Sequence, residues 1–309
     1  MSLLLVFLDG VGIGANDPAT NPFLHARADT LRELFGAIPT LNNGVYSLSR
    51  ARLVPTDALL GMPGLPQSGT GQTTIFTGIN ASAAIGHHYG PYPNDELRAL
   101  LKRDNVFKQL AVRGKRIAFA NAYPPIFFER LAIHKARRTA TMQAALAGGA
   151  RFRDVNDLQA GTAVSGFSIT NAEWVKRGAR LPIITRRQAG RILMHIAREN
   201  DFTAFEYALT DIAGHKGDRD WIVDTIEEVD ELLAGILDEL DDQVTVLFTS
   251  DHGNIEDWTA RGHTLNPSLT IVLGPGRDQI AERISSLTDI TPTVIDSVMA
   301  LDSRRTTPR

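Results

Sequence analysis

The sequence LLLVFLDG, from Leu3 to Gly10, joins six apolar residues to an abrupt stop at Asp9 and Gly10. A continuous apolar run of this length is typical of a strand that is buried on both faces, as in a parallel sheet. In open α/β sheets, ligands bind at the carboxyl ends of the strands. The stretch therefore predicts a central strand, Leu3–Leu8, with Asp9 at the ligand-binding edge, although an aspartate at this point also suits a turn or a helix cap.

Other apolar runs alternate with helical patterns along the chain. From Asp220 to Leu240, apolar residues recur at spacings of three and four, which indicates an amphipathic helix. The β-branched run Val244–Thr249 follows it and indicates a strand. Strands that alternate with helices predict an α/β fold with a doubly wound, mostly parallel sheet. The other predicted strands are Arg116–Ala122, Phe202–Leu209 and Leu269–Leu273, and the other predicted helices are Val106–Val112, Arg186–Arg198 and Leu287–Met299.

The alternation is interrupted between residues 126 and 198, where Arg, Ala and Gly are frequent. We interpret 126–198 as a smaller inserted cap domain on an α/β core made of 1–125 and 199–301, with a frayed tail at 302–309. No stretch approaches the roughly 20 apolar residues of a membrane helix, and no basic residue precedes Leu3. We therefore expect a cytoplasmic protein without a signal peptide.

The composition narrows the possible ligands and partners. The 309 residues carry a formal net charge of -3, which argues against a surface for nucleic acid. The chain has no cysteine, so disulfides and thiolate metal sites are excluded. Any metal ion must therefore be held by imidazole, carboxylate or hydroxyl groups.

Aspartates stand at the ends of three predicted strands, and two of them have a histidine close behind. Singly, such an aspartate suits a helix cap, and a loop histidine suits a solvated side chain. Together at one sheet edge, these groups would repel one another or be poorly solvated without a cation among them. Carboxylates combined with imidazoles suit Mn or Zn better than Mg. The candidate ligands are Asp9, Asp211, His215, Asp251, His252 and His263.

A glycine-rich segment, PQSGTGQT at residues 66–73, precedes the predicted helical run Thr73–Gly78. Small residues before a helix let backbone N–H groups approach an anion, and a helix N-terminus favours negative charge. Ser68 is therefore a candidate nucleophile if a metal ion lowers the pKa of its hydroxyl. The segment also fits an ordinary turn with Ser68 or Thr70 as the helix N-cap. It is not a P-loop, because no Gly-Lys-Ser/Thr follows.

Five segments of the chain match a known family in order and spacing. They are FLDGVGIG at Asp9, QSGTGQ at Ser68, TDIAGHKGD at Asp211, TSDHGNIED at Asp251 and GHTLNP at His263. With the closing SLTDITPTVID, they resemble the alkaline phosphatase superfamily, in particular its branch of cofactor-independent phosphoglycerate mutase and phosphopentomutase. The resemblance covers both ends of the chain, residues 2–78 and 202–299.

The resemblance implies an alkaline phosphatase-like fold and two divalent metal ions. It also implies that Ser68 is the nucleophile that takes up the phosphoryl group of a small phosphorylated metabolite. The implied ligands of one ion are Asp211, His215 and His263, and those of the other are Asp9, Asp251 and His252, with Ser68 bridging or adjacent.

The sequence leaves the substrate and the phosphoryl acceptor open. The mutase motif usually has His where Gln72 stands, and glutamine can donate a hydrogen bond but cannot shuttle a proton. We predict a phosphomutase or phosphomonoesterase. The alternatives are a phosphodiesterase and a non-catalytic metal-binding relative that senses phosphorylated ligands, and no oligomeric state is predicted. The candidate substrate contacts are Thr70, Gln72, Lys216, Arg137 and Arg138, of which the arginine pair also suits a solvated face.

Overall fold

One β-sheet organises the protein, whose computed structural model describes residues 2–42, 47–48, 50–133, 135–216, 218–260 and 262–303. Its strands are β1 (Ser2–Leu8), β2 (Ser47–Leu48), β3 (Ala51–Thr56), β4 (Ile117–Phe119), β5 (Phe202–Tyr207), β6 (Val244–Ser250) and β7 (Ser268–Leu273). Among the described residues, the strand order is β2-β3-β7-β6-β1-β5-β4. β1 pairs in parallel with β5 and β6, and β5 pairs in parallel with β4. β7 runs antiparallel to β6 and to β3, and β2 runs antiparallel to β3. The parallel pairings of β4, β5, β1 and β6 confirm the predicted α/β fold with a mostly parallel sheet.

Helices fill the connections between these strands. Short 3₁₀ helices cover Pro22–Leu24 and Leu287–Asp289. The α-helices are α1 (Asp29–Phe35), α2 (Ser68–Thr77), α3 (Ala81–Ile85), α4 (Asp95–Arg103), α5 (Val106–Val112), α6 (Pro125–Ala132), α7 (Ala140–Ala147), α8 (Val155–Gln159), α9 (Ala172–Lys176), α10 (Arg186–Glu199), α11 (Leu209–Lys216), α12 (Arg219–Asp238), α13 (Arg277–Glu282) and α14 (Ile290–Ser303).

The unbroken apolar run of β1 is explained by burial on both faces of the sheet. Alternate side chains enter two separate hydrophobic clusters, because successive residues of a strand point to opposite faces. Leu4, Val6 and Leu8 pack with residues of α10 and α12 on one face. Leu3, Leu5 and Phe7 pack with residues of α2, α5, α7 and α14 on the other. In β1, polar residues are therefore confined to the two ends of the strand, Ser2 and the following Asp9.

The observed elements differ from the predicted ones chiefly at their ends. The helix predicted from Thr73 begins five residues earlier, at Ser68, so the glycine-rich segment forms its first turn. The strand predicted over Arg116–Ala122 is confined to Ile117–Phe119. The antiparallel strands β2 and β3 were not predicted, because their short runs lack a long apolar core. Of the predicted tail, 302–309, residues 304–309 lie outside the described residues.

Two helices of the predicted cap, 126–198, lie against the sheet rather than apart from it. Leu193 and Met194 of α10 belong to the same hydrophobic cluster as Leu4 and Val6. Ala144 of α7 joins the cluster on the other face. Leu158 and Ala163, which lie between these helices in sequence, form a small separate cluster with Ala122. The division of the chain into core and cap stays a prediction. None of the helices in the described ranges combines the length and apolar composition needed to cross a membrane.

Candidate metal centre

Three aspartates meet at the carboxyl edge of the sheet, because β5, β1 and β6 are adjacent and parallel. Asp9 follows β1 directly, and Asp251 follows β6. Asp211 lies in the first turn of α11, which begins two residues after β5 ends. The strand order thus brings together acidic side chains that are far apart in the sequence.

The first group of candidate ligands is buried. Asp9, Asp251 and His252 each offer an atom within 4.8 Å of the others. His252 Nε2 lies 3.7 Å from Asp9 Oδ1 and 3.4 Å from Asp251 Oδ2. Neither of these carboxylate oxygens has a hydrogen-bond donor among the described residues. Buried carboxylate oxygens without donors are costly unless a cation compensates them, so this donor set fits a divalent ion.

The second group adjoins the first and is more open to solvent. Asp211, His252 and His263 offer atoms within 4.8 Å of one another. His215 Nε2 lies 3.4 Å from Asp211 Oδ2 and 3.2 Å from His263 Nε2. The rings of His252 and His263 stack with their centroids 3.7 Å apart. His252 therefore lies within reach of both groups, whereas the resemblance assigns it to one ion.

Two glycines allow the ligand-bearing segments to approach so closely. Gly10 has a φ of +68°, and a Cβ there would lie 2.6 Å from Asp211 Oδ1. A Cβ on Gly71 of α2 would lie 2.9 Å from the Cβ of Asp251. Any side chain at these positions would push the carboxylates apart. Position 10 requires glycine because of its positive φ and the lack of space for a Cβ, whereas position 71 requires it because of the lack of space alone.

Ser68 is the first residue of α2 and faces the candidate ligands. Its Oγ lies 2.9 Å from His252 Nε2, and the residue is 4% exposed. The N-cap of the helix is Gln67 and makes no side-chain capping bond, so neither Ser68 nor Thr70 serves as the cap. Because the first turn of α2 carries no acidic residue, its N-terminus is suited to an anion beside Ser68.

The ionisable groups of the site have strongly perturbed pKa values. Burial, together with the charge of Asp211, raises the pKa of Asp251 to about 8. Burial works in the same direction on Asp211, but hydrogen bonding to His215 and the nearby imidazole of His252 hold its pKa at about 2. Burial and the charge of His263 lower the pKa of His252 to about 3. The buried histidine is thus neutral, as a metal ligand must be, while Asp251 needs a positive charge nearby to ionise.

A sequence profile of the Metalloenzyme superfamily matches residues 1–301. The chain belongs to this superfamily. The assignment agrees with a site built from carboxylates, imidazoles and a serine hydroxyl at one sheet edge.

Curated relatives of this metalloenzyme include 2,3-bisphosphoglycerate-independent phosphoglycerate mutases. The protein of Desulforudis audaxviator is 31% identical over 122 residues, which are 37% of this chain and 24% of the relative. That of Halobacterium salinarum is 36% identical over 110 residues, or 33% of this chain and 22% of the relative. The matched regions thus span about a quarter of the length of these relatives.

Solved structures of similar fold cover nearly the whole chain. The PH0037 protein of Pyrococcus horikoshii superposes with a TM-score of 0.57 at 16% identity, covering 97% of each chain. The alkaline phosphatase of the Antarctic bacterium TAB5 superposes with a TM-score of 0.55 at 12% identity, covering 96% of this chain and 97% of that one. Together with the mutase relatives, these structures confirm the resemblance to the alkaline phosphatase superfamily and its fold.

The predicted substrate contacts occupy different positions around the metalloenzyme site. Gln72 donates from Nε2 to Asp9 Oδ2 at 3.3 Å, so it contacts a candidate ligand directly. Thr70 is buried and hydrogen-bonds to Tyr89. The Lys216 ammonium lies 4.9 Å from the centroid of the Trp221 ring on α12. Arg137 and Arg138 precede α7, and their part in substrate binding stays a prediction.

Glu256 is a residue of the site that the sequence did not single out. It is fully buried, and its two oxygens accept four hydrogen bonds. The donors are the backbone N–H groups of Gly12 (2.9 Å) and Asn254 (2.7 Å), the Thr264 hydroxyl (2.5 Å) and the Asn266 amide (3.0 Å). These donors belong to the segments that carry Asp9, His252 and His263, so one carboxylate ties three ligand segments together.

Asn254 was also missed as a site residue. Its Nδ2 donates to Asp211 Oδ1 at 2.7 Å, which orients a candidate ligand. Both Asn254 and Glu256 stand in the quoted segment TSDHGNIED, yet nothing in that segment separates Glu256 from the half-exposed Asp257. Only the convergence of donors in the folded chain identifies Glu256.

Replacing Glu256 with glutamine is expected to weaken metal binding. The new amide would turn N–H groups towards at least one pair of existing donors, leaving buried groups unsatisfied. Loss of an outer hydrogen-bonding partner of metal ligands typically lowers affinity by about 10- to 100-fold. Isothermal titration with Mn²⁺ measures the change, with the exposed Glu282→Gln of α13 as a matched control. Equal affinity in the two variants would contradict this role of Glu256.

Proposed function

We propose that this chain is a metal-dependent phosphoryl-transfer enzyme, a phosphomutase or phosphomonoesterase, that acts on a small phosphorylated metabolite. The observation that carries the proposal is the position of the Ser68 hydroxyl. It stands at the first residue of a helix and within 2.9 Å of His252, where both groups of candidate ligands meet. A nucleophilic hydroxyl beside clustered cation ligands and a helix N-terminus suits attack on an anionic phosphate ester.

Two divalent ions, Mn or Zn, complete the proposed site. One would be held by Asp9, Asp251 and His252, and the other by Asp211, His215 and His263. The unpartnered oxygens Asp9 Oδ1 and Asp251 Oδ2 support the fit of the first. Bound ions would lower the pKa of the serine hydroxyl and neutralise charge on the phosphoryl group.

Ser68 would attack phosphorus, forming a bond from Oγ to phosphorus as the bond to the leaving oxygen breaks. A phosphoserine results, and its phosphoryl group passes either to water or to another hydroxyl of the substrate. His252 Nε2 lies 2.9 Å from Oγ, but with a pKa of about 3 this imidazole accepts a proton poorly. His252 is therefore too weak a base to remove the proton of the Ser68 hydroxyl. Ionisation of this hydroxyl would depend on the positive charge of the bound ions.

Substrate turnover after metal loading tests the proposed function. Protein freed of metal by chelation should release little phosphate from an aryl phosphate, and Mn²⁺ or Zn²⁺ should restore the rate by at least about 100-fold. A mutase would instead isomerise a phosphoglycerate or sugar phosphate with little free phosphate. Bound metal without turnover of any ester would support a non-catalytic relative. Faster cleavage of an aryl phosphodiester than of the monoester would support a phosphodiesterase.

A further inference from the structure

The stretch that leads into Ser68, residues 61–67, depends on outside contacts for its conformation, and we call it the entry segment. It forms neither helix nor strand. Two of its residues, Pro63 and Pro66, lack the backbone N–H with which other residues donate hydrogen bonds. Four of its first five residues are exposed, whereas Pro66 is buried. The contacts of Pro66 therefore decide where the chain enters α2.

An imidazole of the candidate metal centre contacts Pro66. His263 Nδ1 lies 2.5 Å from Pro66 O. A carbonyl oxygen can only accept a hydrogen bond, so Nδ1 must carry the proton and Nε2 must present its lone pair. His263 Nε2 lies 3.6 Å from Asp211 Oδ1 and 3.2 Å from His215 Nε2. The bond to Pro66 thus sets the tautomer in which His263 can bind a metal ion.

The backbone around His263 is held more firmly than the entry segment. Thr264, the next residue, donates from its hydroxyl to the buried Glu256 carboxylate at 2.5 Å. The His263 ring also stacks on the ring of His252, with the centroids 3.7 Å apart. The hydrogen bond therefore transmits position from His263 to Pro66 rather than in the reverse direction. The freedom that remains is rotation of the His263 ring, which an ion at Nε2 would stop.

The path from Pro66 to the nucleophile is only two residues long. The intervening Gln67 is the N-cap of α2, and its side chain makes no capping hydrogen bond that would fix the first turn of the helix. Ser68 Oγ lies 2.9 Å from His252 Nε2. A displacement of Pro66 would therefore move the Ser68 hydroxyl relative to both groups of candidate ligands.

We infer that His263 is a positioning residue for Ser68 as well as a candidate metal ligand. An ion at Nε2 fixes the ring, and Nδ1–H then holds the Pro66 carbonyl and with it the first turn of α2. The positive charge of the ion also strengthens Nδ1–H as a donor, because charge-assisted hydrogen bonds are shorter and stronger than neutral ones. The inference rests on the proposed function and adds that metal binding places the nucleophile in addition to activating it.

Hydrogen exchange of the backbone amides in the entry segment tests the inference without any turnover. In the parent, Mn²⁺ should slow this exchange by at least about fivefold, the effect of one net hydrogen bond. His263→Gln offers an amide oxygen near the position of Nε2 but no donor in the place of Nδ1, so Mn²⁺ should not slow exchange in this variant. His263→Asn, whose amide N–H can reach Pro66 O, should restore slow exchange with or without Mn²⁺. Mass spectrometry of the peptides that contain residues 61–67 measures these rates.

His215→Gln is the matched comparison, because the His215 imidazole faces Nε2 of His263 rather than Nδ1. At Mn²⁺ concentrations that load both variants equally, His215→Gln should keep the slower exchange that His263→Gln loses. In turnover, His263→Gln should have a kcat roughly 10- to 100-fold below that of His215→Gln at similar KM, since a misplacement of about 1 Å can cost 10²-fold in rate. The exposed His195→Gln of α10 should match the parent in both measurements, and melting curves should verify that all variants fold.

The outcomes separate this inference from the proposed function. Equal effects of Mn²⁺ on exchange in His263→Gln and His215→Gln, or no effect in the fully loaded parent, would overturn the inference and leave the proposed function intact. Failure of the parent to bind Mn²⁺ or Zn²⁺, or to turn over any phosphate ester once loaded, would instead overturn the proposed function.

Discussion

Ser68→Ala is expected to abolish turnover of phosphate esters while most metal binding is retained. Removal of a serine nucleophile typically lowers kcat by on the order of 10³-fold or more, because the covalent intermediate can no longer form. The metal centre should persist, since six further candidate ligands are unchanged. The expected result is therefore a protein that still takes up Mn²⁺, with a thermal shift close to that of the parent, but does not release phosphate.

The control for this variant is Ser297→Ala on α14, whose hydroxyl donates to the Thr293 carbonyl of its own helix. It should retain full turnover. Acid quenching during turnover of a radiolabelled phosphate ester should trap label on the parent and on Ser297→Ala, but not on Ser68→Ala. Turnover by Ser68→Ala within threefold of the parent, or label trapped on that variant, would show that another residue is the nucleophile.

Asp251→Asn is expected to stabilise the metal-free protein at pH 8 and to diminish its response to metal, because the ion held by Asp9, Asp251 and His252 would lose a carboxylate ligand. Burial raises the folded-state pKa of Asp251 from 3.8 to about 8. The folded chain therefore holds this proton more tightly than the unfolded chain, and the free energy of unfolding falls as pH rises through this window. Asparagine carries no charge at any pH and can keep the bond that Asp251 Oδ1 accepts from Gly10 N at 3.1 Å.

The gain should be largest at pH 8 and above and should vanish as the pH falls below 3.8, where Asp251 is neutral in both the folded and the unfolded parent. A shift of this size corresponds to a few kcal/mol in order of magnitude, or about 5 °C or more in Tm. His252 acts in the opposite sense: its lowered pKa reduces stability as pH falls below 6.5, but it does so in both proteins and cancels in the comparison. Differential scanning fluorimetry with chelator and with excess Mn²⁺ measures both effects. A metal-free variant less stable than its parent at pH 8, with an undiminished metal shift, would contradict this account.

The sequence was sufficient to predict β1 and the aspartate that follows it, because a strand buried on both faces leaves an unbroken apolar run. Strands were also predicted over Phe202–Leu209 and, from its β-branched residues, over Val244–Thr249, which correspond to β5 and β6. Since parallel strands align their carboxyl ends, Asp9, Asp211 and Asp251 were expected to meet, and the structure brings them together. The order of the motifs was sufficient to predict His215, His252 and His263 as candidate ligands. That His252 belongs to both groups of ligands could be learned only from the folded structure.

Other features depend on tertiary packing and could not be predicted. Glu256 looks like any other loop glutamate until four donors from separate segments converge on it. The first turn of α2 is rich in glycine, which disfavours a helix locally, so its start at Ser68 reflects packing against Asp251 and Tyr89. The packing of α7 and α10 on the sheet could not be predicted either, because the Arg- and Ala-rich composition of 126–198 does not reveal their small apolar faces.

Anomalous X-ray diffraction from crystals grown with Mn²⁺ or Zn²⁺ tests the metal centre most directly. The expected result is two strong anomalous peaks per chain at the carboxyl edge of the sheet. The ion at one peak should be coordinated by Asp9, Asp251 and His252, and the ion at the other by Asp211, His215 and His263. The Ser68 hydroxyl should lie beside both ions. Absence of any peak among these side chains at saturating metal would contradict the account.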